Sequence, residues 1–312
     1  MSVFKAFVRA SVCLVPMLAG LLLAGPASAK PGAEIYGAHA KITRLKISPE
    51  GGYVGMIANV NNQDVISISK VGGGLCNVGN GGNNIREIYW GNENRLIVIA
   101  TRTQSMADYG FDDLIEIGQS FTMNSSCADI RQVKGHAFLA HLPDGNILMT
   151  VNTFNNSSSA DKNLRRKKKS YYKVDIFKVD PNTGNSERVE EGKDLTEGWI
   201  VDAQGSAKIR VDVDDRVNRE AVYARVGGSK EWVQVYDGHD VAEPDQQLQF
   251  LDVGPQPDTA YVRTRNGTDH YGLYLFDLKA KAISKPVFTN AKYDVDGLTY
   301  ASYTGEATGV EI

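Results

Sequence analysis

Serine, histidine and acidic residues are all present in this chain, but not in a pattern that makes a hydrolase. An α/β-type serine hydrolase sets its nucleophile in Gly-x-Ser-x-Gly between a strand and a helix, where a strained turn exposes the hydroxyl. That pattern is absent, because Gly118-Gln-Ser120 lacks the second glycine and Gly205-Ser206 and Gly228-Ser229 fall in predicted hairpin turns. The five histidines, His39, His136, His141, His239 and His270, show no spacing that would place two on one helical face for a metal. His136 and His141 fall in and beside a predicted strand, and no carboxylate or cysteine pattern completes a site around them. Asp212, Asp214 and Asp215 form the densest acidic group. They lack the fixed register and sharp glycine turn of a calcium loop and read as surface charges at a strand end. The glycine-rich run Gly72 to Gly82 lacks the Lys-Ser/Thr pair of a phosphate loop and has no helix signal after it, so it reads as a loop joining two repeats. These patterns nominate no catalytic residue, no metal ligand and no cofactor-binding residue.

Two groups remain with chemistry of another kind. Arg165, Arg166, Lys167, Lys168 and Lys169 are five adjacent cations in a polar insertion at about 155–170, and they are a candidate partner contact through their positive field. A solvated, mobile segment is the competing reading. Cys76 and Cys127 are a candidate disulfide, with two free buried thiols as the alternative. Closing that loop would contribute roughly 4 kcal/mol on the chain-entropy view.

The compartment follows from the first 29 residues. Lys5 and Arg9 precede an apolar run from Ser11 to Gly25 that ends in Ala27-Ser28-Ala29, which reads as a secretory signal peptide cleaved after Ala29. The run is shorter than the roughly 20 residues needed to span a bilayer, so no membrane contact is expected after cleavage. The full chain carries 34 Lys and Arg against 37 Asp and Glu. Loss of the leader removes two cations and leaves a mild acidity that argues against a nucleic-acid partner. A periplasmic or secreted protein is expected, where a disulfide is permitted.

The elements that would position all these residues are short strands. Gln247 to Asp252 alternates apolar and polar residues, and so do Thr259 to Thr264 and Tyr271 to Asp277, with Ala282 to Phe288 as a weaker fourth run. Turn residues separate them. Four such strands make one antiparallel unit too small to bury its own faces, which therefore needs neighbours of the same kind. Comparable units start near 50, 93, 144, 204, 257 and 304, taking one residue in each first turn. Spacing of this order with several strands per unit predicts an all-β β-propeller of four-stranded antiparallel blades, about five full blades plus part of another in an incomplete ring, over residues 30–312. A β-sandwich also has short, evenly spaced strands but would not repeat in four-strand units.

With those repeats in place, the chain resembles the N-terminal propeller of bacterial secreted members of the prolyl oligopeptidase family of serine peptidases. Leu45 to Ala58 is similar to that family's early strand, Ser-Pro-Asp-Gly, strand hairpin, with Glu50 in the aspartate position. Tyr293 to Ile312 is similar to a late propeller hairpin. The resemblance implies a propeller that covers a C-terminal α/β-hydrolase domain and restricts which peptides reach it. The family's Ser, Asp and His lie in that second domain, so no catalytic residue carries over to any position here. The expected role is the non-catalytic, peptide-gating and hydrolase-docking half of a periplasmic peptidase, with the chain stopping inside a sixth hairpin. The alternative is a stand-alone periplasmic propeller that binds a protein or ligand. No cofactor is expected on either reading.

Overall fold

The computed structural model describes residues 40–105, 114–154, 172–214, 217, 219–238, 247–301 and 303–312. The expected signal peptide at 1–29 and the basic segment Arg165 to Lys169 lie outside the described residues, as do His39, His239 and Asp215. Among the described residues the secondary structure is strand throughout. The first sheet holds β1 (Ile42–Ile47), β2 (Tyr53–Val60), β3 (Gln63–Lys70) and β4 (Leu75–Gly79); the second holds β5 (Asn84–Asn92), β6 (Arg95–Ser105), β7 (Leu114–Asn124) and β8 (Arg131–Val133). The third is β9 (Ala137–His141), β10 (Ile147–Phe154), β11 (Tyr172–Val179) and β12 (Ser186–Glu190), and the fourth is β13 (Thr196–Val201), β14 (Ala207–Asp214), β15 (Arg219–Ala224) and β16 (Val233–Asp237). The fifth comprises β17 (Gln249–Val253), β18 (Thr259–Thr264), β19 (Gly272–Asp277) and β20 (Ala282–Phe288); β21 (Gly297–Tyr300) and β22 (Ala307–Glu311) form a two-stranded sixth. Each sheet is an antiparallel meander in sequence order.

These sheets stack side by side because their middle strands are apolar on both faces. In β6, Leu96 and Val98 join Ile57, Ile66 and Ile68 of the first sheet in one buried cluster. The alternate residues Ile97 and Ile99 point the other way, into a cluster with Ile147, Met149 and Phe177 of the third sheet. Leu148, between Ile147 and Met149, faces on toward Trp199 of the fourth sheet. Ile209 and Val222 of the fourth then meet Phe250, Val262 and Phe276 of the fifth. A period of two in one strand thus feeds two cores, which is how a strand buried on both faces reads in sequence. Successive sheets, not opposed pairs, share the cores, and this is a β-propeller rather than a sandwich.

Polar ties reinforce the seams. The Trp90 indole donates to the Lys46 carbonyl at 3.0 Å and the Thr122 hydroxyl to the Pro181 carbonyl at 2.8 Å. The Trp199 indole donates to Val174 at 2.8 Å, and Arg225 of the fourth sheet pairs with Glu190 of the third at 2.9 Å. Cys76 of β4 and Cys127, in the loop after β7, form a disulfide with their Cα atoms 5.9 Å apart, so the first two sheets are also covalently joined.

No strand pairing joins the sixth sheet to the first among the described residues. The two meet through the Tyr303 hydroxyl, which donates to the Ile47 carbonyl. Every residue of β1 is exposed.

Two expectations need correcting. Part of the run Gly72 to Gly82 is not loop, since Leu75–Gly79 is the outermost strand of the first sheet; Cys76 and Val78 alternate inward onto its core, and the flanking glycines hide that period. Asp212 is not a surface charge. Its carboxylate pairs with Arg210 at 2.9 Å and accepts from the Thr196 hydroxyl at 2.7 Å, with both ionic side chains mostly buried.

Candidate functional site

The first strand of each sheet is the innermost, and together these strands enclose a cavity of about 1520 Å³ on the axis. All six sheets contribute to it, through β1, β5, β9, β13, β17 and β21 and the turns that follow most of them. Those first turns recur as local structure. Gly51, Gly145, Gly205 and Gly305 each close one with φ between 67° and 82°, a conformation glycine adopts without a Cβ penalty. Glycine at these places keeps the turns tight and brings the mouth residues together.

One part of the wall is aromatic. Tyr89 stacks on Phe138 with ring centroids 4.5 Å apart, and Phe138 packs against His141 at 4.8 Å. His141 in turn meets Tyr303 at 5.1 Å, so a ring from the sixth sheet touches one from the third. His141 Nε2 lies 2.6 Å from the Trp90 carbonyl. A carbonyl can only accept, so Nε2 carries the proton. Burial pushes the His141 pKa down, against the pull of that hydrogen bond, which favours the neutral ring. Tyr303 is pushed up to about 12 by burial and by Glu93, and its hydroxyl stays a donor.

Another part of the wall carries a carboxylate. Asp252 lies on β17 opposite Tyr261 of β18, so the two side chains share a face of the fifth sheet. The register shifts between Phe250 and Asp252, placing Leu251 in a bulge. In a regular strand with no bulge Phe250 and Asp252 would point the same way, and the carboxylate would enter the apolar core between the fourth and fifth sheets. The bulge turns it to the other face, toward Tyr300 of β21. Burial raises the Asp252 pKa to about 6, opposed by the Val253 amide that donates to its Oδ1 at 2.7 Å. Tyr300 is raised to about 12, by burial first and then by the Asp252 charge.

The serines and histidines weighed from the sequence do not assemble into a catalytic group among the described residues. Ser120 is buried, and its hydroxyl donates to the Gly135 carbonyl at 2.7 Å. His136 Nδ1 accepts from the Asn152 amide at 3.1 Å. His270 lies 3.5 Å from Asp294, away from the cavity. Among the described residues no group of His, Cys, Asp and Glu is arranged to hold a metal. The arrangement suits ligand binding in the cavity, whose wall offers aromatic faces and a half-buried carboxylate. Sequence reading passed over Asp252 and the aromatic wall because six strands far apart in the chain build the cavity.

No protein-family model matches the chain, and no curated protein matches its sequence. Its structural neighbours include propeller domains of prolyl oligopeptidase-family peptidases. A prolyl endopeptidase structure aligns with 86% of this chain and 42% of its own, at 10% identity and a TM-score of 0.53. The acylaminoacyl peptidase of Pyrococcus horikoshii aligns over 84% of this chain and 40% of its own, at 14% identity and a TM-score of 0.50. The β-propeller domain of the Trilobed protease from Pyrococcus furiosus aligns over 83% of this chain and 74% of its own, at 13% identity and a TM-score of 0.45. The chain spans about two fifths of the length of the first two peptidases. At these identities the likeness is one of fold, and the described part of this chain holds no hydrolase domain.

Proposed function

We propose that this chain is the non-catalytic propeller of a periplasmic prolyl oligopeptidase-like peptidase. On this reading the axial channel admits extended peptide and excludes folded protein, and one face of the ring docks a hydrolase domain that is not part of these 312 residues. The observation that carries it is the cavity of about 1520 Å³ lined by the innermost strands of all six sheets. Pockets that bind small ligands run to roughly 300–1,000 Å³, so this one has room for several residues of peptide. Export is supported by the leader sequence and by the Cys76–Cys127 bond, which needs an oxidising compartment.

The test is peptide binding by the purified chain, followed by fluorescence anisotropy of a labelled octapeptide. Ala203 is exposed in a turn on the channel wall, so Ala203→Trp narrows the mouth without disturbing the core. Binding that weakens at least tenfold in Ala203→Trp, with no peptide hydrolysis by either protein, is the expected result. Undiminished binding in the variant, or hydrolysis by the purified wild type, defeats the reading.

A second reading, a stand-alone periplasmic propeller that binds a partner, is supported by the ties between sheets. The Cys76–Cys127 bond and the Arg225–Glu190 pair hold sheets together with no second domain. It predicts an equally stable protein whether or not a hydrolase domain is added in solution.

A further inference from the structure

We propose that Asp252, with the rings of Tyr261 and Tyr300, forms a subsite on the channel wall for a primary ammonium group. Resting on the peptide-channel reading above, the natural source is a peptide's amino terminus or a lysine side chain. A half-buried carboxylate needs a partner, since desolvating a charge without one is costly. Asp252 has a hydrogen bond from the Val253 amide to Oδ1, and among the described residues no cation pairs with it. Arg263, two residues beyond Tyr261 on β18, is committed elsewhere. It donates to the Val295 carbonyl and to Gln249 at 3.2 Å, and it stacks over Tyr271 at 4.2 Å.

The bulge at Leu251 is what holds the carboxylate on this face, opposite Tyr261 and toward Tyr300. Phenol rings beside a carboxylate suit an ammonium group, because the ring faces attract a cation and the carboxylate accepts its hydrogen bonds. The wider channel has the same bias. Of its charged lining residues Lys46 is basic, while Glu50, Asp202, Asp252 and Glu306 are acidic, and Lys208 pairs with Asp202 at 3.2 Å. The remaining excess of negative charge in a concave site draws cations in.

The experiment is calorimetric titration of the purified full chain with three matched pentapeptides: one with a free amino terminus and no lysine, one N-acetylated without lysine, and one N-acetylated with a single lysine. n-Butylammonium against n-butanol, followed by NMR shifts, tests the amine apart from any peptide. The expected result is that ammonium-bearing ligands bind about tenfold more tightly than their neutral counterparts, the scale of one charge-assisted hydrogen bond. Asp252→Asn removes that difference, and whichever charged peptide gains more identifies the source. Tyr300→Ala, which keeps the carboxylate, weakens ammonium binding about threefold. If all three peptides bind alike and butylammonium binds no better than butanol, the subsite is overturned while the channel reading stands. Butylammonium binding that depends on Asp252, with no peptide binding, keeps the subsite and overturns the peptide reading. A full charge preference in Asp252→Asn, shown by its unfolding curve to be folded, also overturns the subsite.

Discussion

Glu93 is the residue whose loss is expected to loosen the seam between the first two sheets. It sits in the turn between β5 and β6 and reaches back to the first turn of the first sheet. Its Oε1 accepts from the Ser48 hydroxyl at 2.8 Å and from the Gly52 amide at 3.1 Å, and its Oε2 accepts from the Glu50 amide at 2.7 Å. Ser48 is itself only 2% exposed, and its Oγ accepts from the Tyr53 amide at 2.9 Å. One carboxylate thus satisfies three donors of a turn that have no other protein partner among the described residues. Glu93→Gln preserves the shape but replaces one acceptor oxygen with a donor that faces other donors.

Hydrogen bonds to a charged group contribute about 1.5–3 kcal/mol each, but this turn is half-exposed and water takes over part of the loss. The expected cost is therefore about 2 kcal/mol for Glu93→Gln and slightly more for Glu93→Ala. For a chain of this size that corresponds to a fall in Tm of roughly 4–8 °C. Urea unfolding of Glu93→Ala, Ser48→Ala and the double variant gives the coupling, expected near 1 kcal/mol because the two side chains share a hydrogen bond. Glu50→Ala is the control, since Glu50 contributes to the clasp through its backbone amide and should change stability by less than about 0.5 kcal/mol. A Glu93→Gln variant within about 0.5 kcal/mol of wild type, or a coupling near zero, would refute the reasoning.

Two more expectations concern stability. Removing the disulfide by Cys76→Ser and Cys127→Ser together opens a loop with a sequence separation of 51 and should cost about 4 kcal/mol, read as a lower urea midpoint with a steeper slope, because the unfolded chain is no longer cross-linked. Asp252 should make the folded state less stable as pH rises. Its folded pKa of about 6 lies above its ordinary 3.8, so the folded state holds the proton longer than the unfolded chain does. The contribution is fully present below pH 4 and is lost as pH climbs through 6. Tyr261, Tyr300 and Arg263 share its surroundings, and Tyr300, raised to about 12, keeps its proton throughout that window. After allowance for its partial exposure the loss is about 1–2 kcal/mol, so Asp252→Asn should match wild type at pH 4 and exceed it by that amount at pH 8 in urea unfolding. Equal pH profiles for the two proteins would show that Asp252 is not the group responsible.

The strands and their grouping were legible because apolar alternation survives wherever a core exists on either side. Gln247 to Asp252 and Thr259 to Thr264 fall where β17 and β18 are found. What escaped the sequence is where polar residues are buried. β7 is masked as a strand because Ser120 and Thr122 occupy its inward positions, each with its hydroxyl bonded to a carbonyl, Thr122 across the seam. Asp212 looks exposed until Arg210 and Thr196 are brought beside it. Glu93 reads as an ordinary turn residue, and nothing local announces that it serves a different sheet. Asp252 is the clearest case, since plain alternation gives the wrong face and only the bulge at Leu251 corrects it.

The seams themselves explain why the charged part of the channel wall lies where it does. Four buried apolar clusters join the first five sheets in succession, and each sheet in that series loses apolar contact on one face if its neighbour leaves. The sixth sheet adds no fully buried residue to these clusters, only the partly buried Tyr303 ring packed on the one between the first two sheets. It is held by the Tyr303 hydroxyl on Ile47, by Arg263 on the Val295 carbonyl and by the Tyr300 ring near Asp252. Such contacts exchange readily for water, whereas an apolar core does not, so separation costs least on either side of the sixth sheet. An unpaired carboxylate would be poorly tolerated inside any of the four apolar clusters, and Glu190 and Glu93 are accepted only beside them and with partners. At the sixth-sheet seam a carboxylate keeps access to solvent and to a cation entering the channel, and the same openness that weakens the ring makes the charge affordable.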